Sequence, residues 1–196
     1  FMVLLFSFRS SVADWYYVPT GSMEPTIQVG DRVVVDKSAY TLELPFTDVV
    51  VAKTGNINRG DIVIIDSNAA DTRLIKRVVA IEGDKVKLEN NVLFINGKKA
   101  TVSAKGHNLY SEQILGQTRT IALNPLPSPA KNFNLITVPR DHVLAMGDNR
   151  NNSVDSRYYG FIPIEEIQGK ANSVAFSLDT ENMYLPRKER FFTSLY

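Results

Sequence analysis

Cysteine is absent from the 196 residues, and histidine occurs only twice, at His107 and His142. The first absence excludes a thiol nucleophile, a disulfide framework and a cysteine-ligated zinc site, although it says little about compartment. The second leaves a histidine-rich metal centre little to build on, and gives a Ser-His-Asp mechanism just two possible bases. Neither sign of charge is in excess. The 22 Lys and Arg against 21 Asp and Glu leave +1, so no broad nucleic-acid surface and no acidic tail is expected. No P-loop, G-x-G-x-x-G or HExxH motif occurs, and no metal or organic cofactor is expected. Nor does any apolar run approach the ~20 residues that span a bilayer.

What is present is an ordinary globular balance, 44% hydrophobic and 22% charged residues, enough for one domain with a sizeable insertion and its own core. The apolar FMVLLFSF at 1–8 is short. In a sequence that opens on Phe1 it reads as the tail of a membrane helix cut upstream, with a buried strand or short core helix as the alternative. Little else reads as helix. β-Branched runs recur between Gly, Asn, Asp and Pro at 33–35, 49–51, 62–65, 74–81, 92–95, 135–138 and 143–146. Asn96-Gly97 marks a two-residue hairpin, and Pro163 opens the one expected helical turn, 163–167. The expected class is mainly β: a catalytic core of antiparallel sheets with an inserted smaller β lobe. Residues 1–13 are assigned to the tail of an N-terminal membrane anchor, 14–86 and 142–180 to the core, 87–141 to the lobe, and 181–196 to a C-terminal tail.

Three segments hold candidate chemistry. In Val18-Pro19-Thr20-Gly21-Ser22-Met23-Glu24-Pro25-Thr26, two prolines fix the backbone around a Gly-Ser pair, as an exposed nucleophile requires. Read alone, this is more simply an ordinary Pro/Gly/Ser loop. Lys76, in Leu74-Ile75-Lys76-Arg77-Val78-Val79, shares a strand face with Leu74 and Val78 while Arg77 points the other way. Burial there would lower its pKa and leave a neutral amine able to take a serine proton; a lysine snorkelling to solvent is the alternative. The third segment, 146–160, is dense in polar and turn residues. There Gly147 allows close approach, Asp155 and Arg157 form a possible pair, and Ser153 is placed to orient an amine; a solvated turn is the plain alternative. Arg59-Gly60-Asp61 reads as a turn feeding the next strand, and the 187–192 stretch mixes cations with aromatics.

In order, type and spacing, Pro-Thr-Gly-Ser-Met-Glu-Pro-Thr, Arg59-Gly60-Asp61, Ile75-Lys76-Arg77 with Gly83-Asp84, and Gly147-Asp148-Asn149-Arg150 through Gly160 together resemble the bacterial type I signal peptidases. The resemblance covers about 14–86 and 142–164. It implies a membrane-anchored serine endopeptidase that cleaves signal peptides from exported preproteins through an acyl-enzyme. It also implies a place on the bacterial cytoplasmic membrane with the catalytic domain on the outer face, and as partners the preprotein signal peptides and the lipid bilayer. Carried over residue by residue, Ser22 would be the nucleophile and Lys76 the base. Thr20 and the Ser22 N–H would form the oxyanion hole, Ser153 would hydrogen-bond the lysine, and Gly147, Asp155 and Arg157 would support the dyad. Val18, Met23, Ile27, Leu74 and Ile75 would line pockets for small side chains before the cut. Asn151 and Leu74 depart from residues common in that family. Two other functions fit parts of the pattern: a Ser-Lys self-cleaving repressor-type peptidase, and an inactive membrane adaptor that binds extended peptides.

Overall fold

The computed structural model describes residues 13–43, 50–125 and 128–196. The apolar 1–8 stretch, and with it all but the last residue of the expected anchor tail, lies outside the described residues, as do Val49, Leu126 and Pro127.

In chain order the strands are β1 (Ala13–Tyr17), β2 (Asp31–Asp36), β3 (Thr41–Glu43), β4 (Val50–Lys53), β5 (Ile62–Ser67), β6 (Thr72–Ile81), β7 (Lys85–Glu89), β8 (Val92–Ile95), β9 (Lys98–Lys99), β10 (Thr101–Gly106), β11 (Leu109–Ile114), β12 (Gln117–Ala122), β13 (Phe133–Thr137), β14 (His142–Met146), β15 (Ile162–Pro163), β16 (Ile167–Asp179) and β17 (Leu185–Pro186). The main sheet runs β1-β2-β16-β5-β6-β14-β15 and is antiparallel throughout. The mainly β, antiparallel architecture expected from the sequence is therefore present.

β-Branched residues form these strands because each fills one side of a pleated, buried surface. β5 sits between β16 and β6, and Ile62, Val63, Ile64 and Ile65 are all fully buried. Burying such side chains is worth roughly 1.5–3 kcal/mol each. The period of two divides them. Ile62 and Ile64 join Val18, Met23, Ile27, Val33 and Val35 in one cluster, whereas Val63 and Ile65 join Val78, Val143 and Ala145 in another.

Residues 87–141 supply most of two smaller sheets, β13-β7-β8-β9 and β10-β11-β12. The first is rooted in the core: Val86, Leu88, Leu93 and Ile95 share one cluster with Val79, Ala80, Leu144 and Met146 of the main sheet. Asn96 and Gly97 both take positive φ, +51° and +78°, which is the two-residue turn joining β8 to β9. The helical turn expected at 163–167 is a 3-10 turn at Ile164–Glu166, with Pro163 spent on β15. A one-turn helix unanticipated from the sequence, α1 (Ser156–Tyr159), starts where the Asp155 carboxylate accepts from the Arg157 N–H. The C-terminal stretch packs onto the core: Arg190 pairs with buried Asp31, and Leu195 joins the cluster that holds Val18.

Candidate active site

Ser22 lies on a 3-10 turn, Gly21–Met23, that follows the extended residue Thr20. Met23 anchors the turn by burying its side chain under the sheet, which leaves Ser22 half-exposed above it. Gly21 has no left-handed φ; its missing Cβ leaves room for the Glu24 carboxyl group, whose atoms would come within 2.9 Å of one. Thr20 makes no capping bond, so its hydroxyl is not spent on the turn. The Ser22 N–H is one of the leading amides that a helical turn leaves without an internal acceptor.

Lys76 approaches from β6. Its Nζ lies 2.9 Å from Ser22 Oγ and donates a second bond, 3.0 Å, to the Ile75 carbonyl. The side chain is 4% exposed. Burial lowers its pKa from 10.5 to about 8; the Asp155 carboxylate opposes that fall, while the Arg157 guanidinium assists it. At that value roughly a tenth of the amine is neutral at pH 7.

The Gly147–Ser153 loop closes over the pair. A Cβ on Gly147 would overlap the Ser22 carbonyl oxygen and Ser153 Oγ, so only glycine lets this backbone pass. The Gly147 N–H and the Ser153 hydroxyl both donate to Asp155 Oδ2, at 2.9 and 2.7 Å. Arg157 grips the same carboxylate with Nε and Nη2, each at 2.8 Å. Burial alone would raise the Asp155 pKa; the Arg157 fork and these donors reverse the effect and hold it below the usual carboxylate range. Ser153, expected to bond the lysine, thus spends its proton on Asp155.

Geometry divides the expected pocket residues. Val18, Met23 and Ile27 are buried together, and Ile75 packs against them. Leu74, on the other face of β6, packs instead with Val63, Ile65 and Val78. β14 pairs with β6 only from Arg77 onward, so among the described residues the Thr72–Ile75 stretch of β6 has β5 on one side and an unpaired edge on the other.

Several residues beside the Ser22–Lys76 pair were given no role in the sequence reading. Arg77 donates to Asp148 through Nε and Nη2, at 2.9 and 2.7 Å, and Thr26 Oγ1 donates to the same carboxylate at 2.6 Å. Asn149 holds the Ser22 turn twice, its N–H donating to the Ser22 carbonyl at 3.1 Å and its Nδ2 to the Gly21 carbonyl at 3.0 Å. Arg150, fully buried, reaches out of the loop to Glu112 on β11. The density of the 147–150 motif was the available signal for Asp148, Asn149 and Arg150; nothing in the 109–114 stretch marks Glu112.

The family described as "Signal peptidase, peptidase S26" matches residues 1–176. The "Probable signal peptidase I-2" of Synechocystis is 31% identical over 87% of this chain, which spans 66% of that relative's length. "Signal peptidase IB" of Staphylococcus aureus is 34% identical over 87% of this chain and 81% of its own length. A solved signal peptidase I from Enterococcus faecalis V583 is 26% identical, covers 59% of this chain and 96% of its own, and has a TM-score of 0.40. The chain belongs to the signal peptidase, peptidase S26, family.

Proposed function

We propose that the protein is a signal peptidase I, a serine endopeptidase that removes N-terminal signal peptides from exported preproteins with Ser22 as nucleophile and Lys76 as base. The observation that carries this reading is the 2.9 Å approach of a buried amine, pKa about 8, to the Ser22 hydroxyl. While protonated, the amine donates to Oγ; once neutral, it accepts the hydroxyl proton along the same line. Ser22 Oγ then attacks the scissile carbonyl, and the oxyanion is held by the Ser22 N–H and the Thr20 hydroxyl. Collapse expels the amine of the mature protein, which takes the proton from Lys76. Water, activated by the same amine, frees the signal peptide from its ester with Ser22. Asp155 favours the charged amine, and the Arg157 guanidinium bound to it offsets part of that pull, so burial still leaves the Lys76 pKa lowered.

The Thr72–Ile75 edge of β6, unpaired among the described residues, supports binding of the substrate as an added strand, with main-chain bonds for affinity. Val18, Met23, Ile27 and Ile75 form an apolar floor for small side chains beside it. In this reading the enzyme acts at the bacterial cytoplasmic membrane with this site on the outer face. No helix among the described residues is long and apolar enough to cross a bilayer.

The test is preprotein cleavage by Ser22→Ala, Lys76→Ala and Lys76→Arg. Each variant is expected to fold and to lose turnover, the last because a guanidinium keeps its proton. Normal turnover in any of them refutes the dyad.

A further inference from the structure

We infer that Glu112, on β11 of the inserted lobe, is a positioning residue for the Ser22 turn and acts through Arg150 and Asn149. Arg150 Nη1 and Nη2 donate to Glu112 Oε1 and Oε2 at 2.8 and 2.7 Å, a closed fork, and these are the guanidinium's hydrogen bonds among the described residues. Arg119, directly across the β11–β12 ladder, donates from Nε to Glu112 Oε2 at 2.6 Å. Glu112 is fully buried, and Arg150 is 1% exposed. Burial alone would raise the carboxyl pKa, yet the two guanidiniums hold it at about 2, so Glu112 stays charged across the working range.

The fork is linked to the nucleophile by a short chain of bonds. The end of β12 brackets the loop, with the Ala122 N–H donating to the Asp148 carbonyl at 2.9 Å and the Arg150 N–H to the Ala122 carbonyl at 3.0 Å. Asn149 sits between those two bonds and is the residue that holds the carbonyls of Gly21 and Ser22. Backbone pairing fixes the height of the loop against β12. The Arg150 side chain, rooted in the lobe, fixes its rotation, and with it where Asn149 presents its donors. Without the Glu112 carboxylate, two buried guanidiniums lose their counter-ion, Arg150 is driven toward water, and Asn149 turns with it. Ser22 Oγ then loses its fixed approach to Lys76 Nζ. This assigns the lobe a part in catalysis that does not require it to touch substrate.

The experiment compares wild type with Glu112→Gln, which keeps the shape but not the charge, and Glu112→Asp, which keeps the charge but is too short to close the fork. Turnover of a synthetic signal-peptide substrate with Ala first and third before the cut is measured per folded molecule, alongside NMR hydrogen exchange of the Asn149 and Ile64 amides. Its kinetic arm rests on the Ser22–Lys76 chemistry proposed above, with Ser22→Ala as the control for that chemistry; the exchange arm does not. For Glu112→Gln, kcat is expected to fall on the order of 10–100-fold with KM within about threefold, as for a small misplacement of reacting groups. Glu112→Asp falls between it and wild type. Asn149 exchange accelerates in both variants relative to Ile64. An unchanged kcat, a change confined to KM, or an unchanged Asn149 exchange overturns the inference. If Ser22→Ala retains wild-type turnover, the peptidase chemistry fails and Asn149 exchange alone decides the positioning.

Discussion

Lys76→Met is expected to stabilise the protein near neutral pH while abolishing turnover, and then to destabilise it in alkali. Methionine fills much the same volume without a charge. The lysine pKa falls from 10.5 to about 8 on folding, and the amine is nearly buried, so the charged form costs about 3 kcal/mol in the folded state at ~1.36 kcal/mol per pH unit. The sign follows from proton counts. Below pH 8 both folded and unfolded chains carry the proton, and the full penalty applies. Between about 8 and 10.5 the unfolded chain binds more protons than the folded one, so wild-type stability rises with pH. Above 10.5 both forms are neutral and the penalty is gone. Methionine also forfeits the bonds to Ser22 Oγ and the Ile75 carbonyl, at ~1 kcal/mol each. The net effect is therefore a gain of about 1 kcal/mol at pH 6–7 and a loss of about 2 kcal/mol above pH 10.5. Urea unfolding of both proteins from pH 6 to 11 reads this directly, and subtraction cancels every other titrating group. A difference that stays constant with pH would mean that Lys76 is not held in a desolvated site, and the mechanism would lose its base.

Other expectations follow from single contacts. Thr20→Val keeps the shape but removes the hydroxyl; kcat should fall about 10²–10³-fold with KM little changed, measured by initial rates. Gly147→Ala places a methyl against the Ser22 carbonyl and Ser153 Oγ, both in packed backbone or buried side chain; it should cost about 1–3 kcal/mol in urea unfolding and most of the turnover. Asp155→Asn removes the carboxylate that supports the charged amine and leaves Arg157 beside it, so the rising limb of the pH–rate profile should move to lower pH. Asp31→Ala strands Arg190, and unfolding should be easier by about 3–5 kcal/mol with the dyad untouched.

Much of the fold is legible in the sequence where a local rule suffices. The apolar run at 62–65 can only be a buried strand in so β-branched a context, and Asn96-Gly97 specifies its own turn. Lys76 was readable as half of a pair because alternation sets it with Leu74 and Val78, facing away from Arg77. That it meets Ser22, 54 residues away, is a tertiary fact, carried in the sequence only by resemblance. α1 was missed because one turn shows no periodicity, and its cap lies inside a segment that already reads as a loop. The same alternation separates Leu74 from Ile75, so adjacent residues assigned to one pocket lie in different clusters. Glu112 was invisible for another reason. An acidic residue in an alternating strand looks solvent-facing until the fold brings Arg150 and Arg119 to it.

The most direct test is an NMR titration of the Lys76 side-chain nitrogen in the wild-type protein. A midpoint at about 8, with the chemical shift of a neutral amine above it, is what the buried contact with Ser22 requires. A midpoint at 10.5, the ordinary lysine value, would show an amine in water and contradict the mechanism at its root.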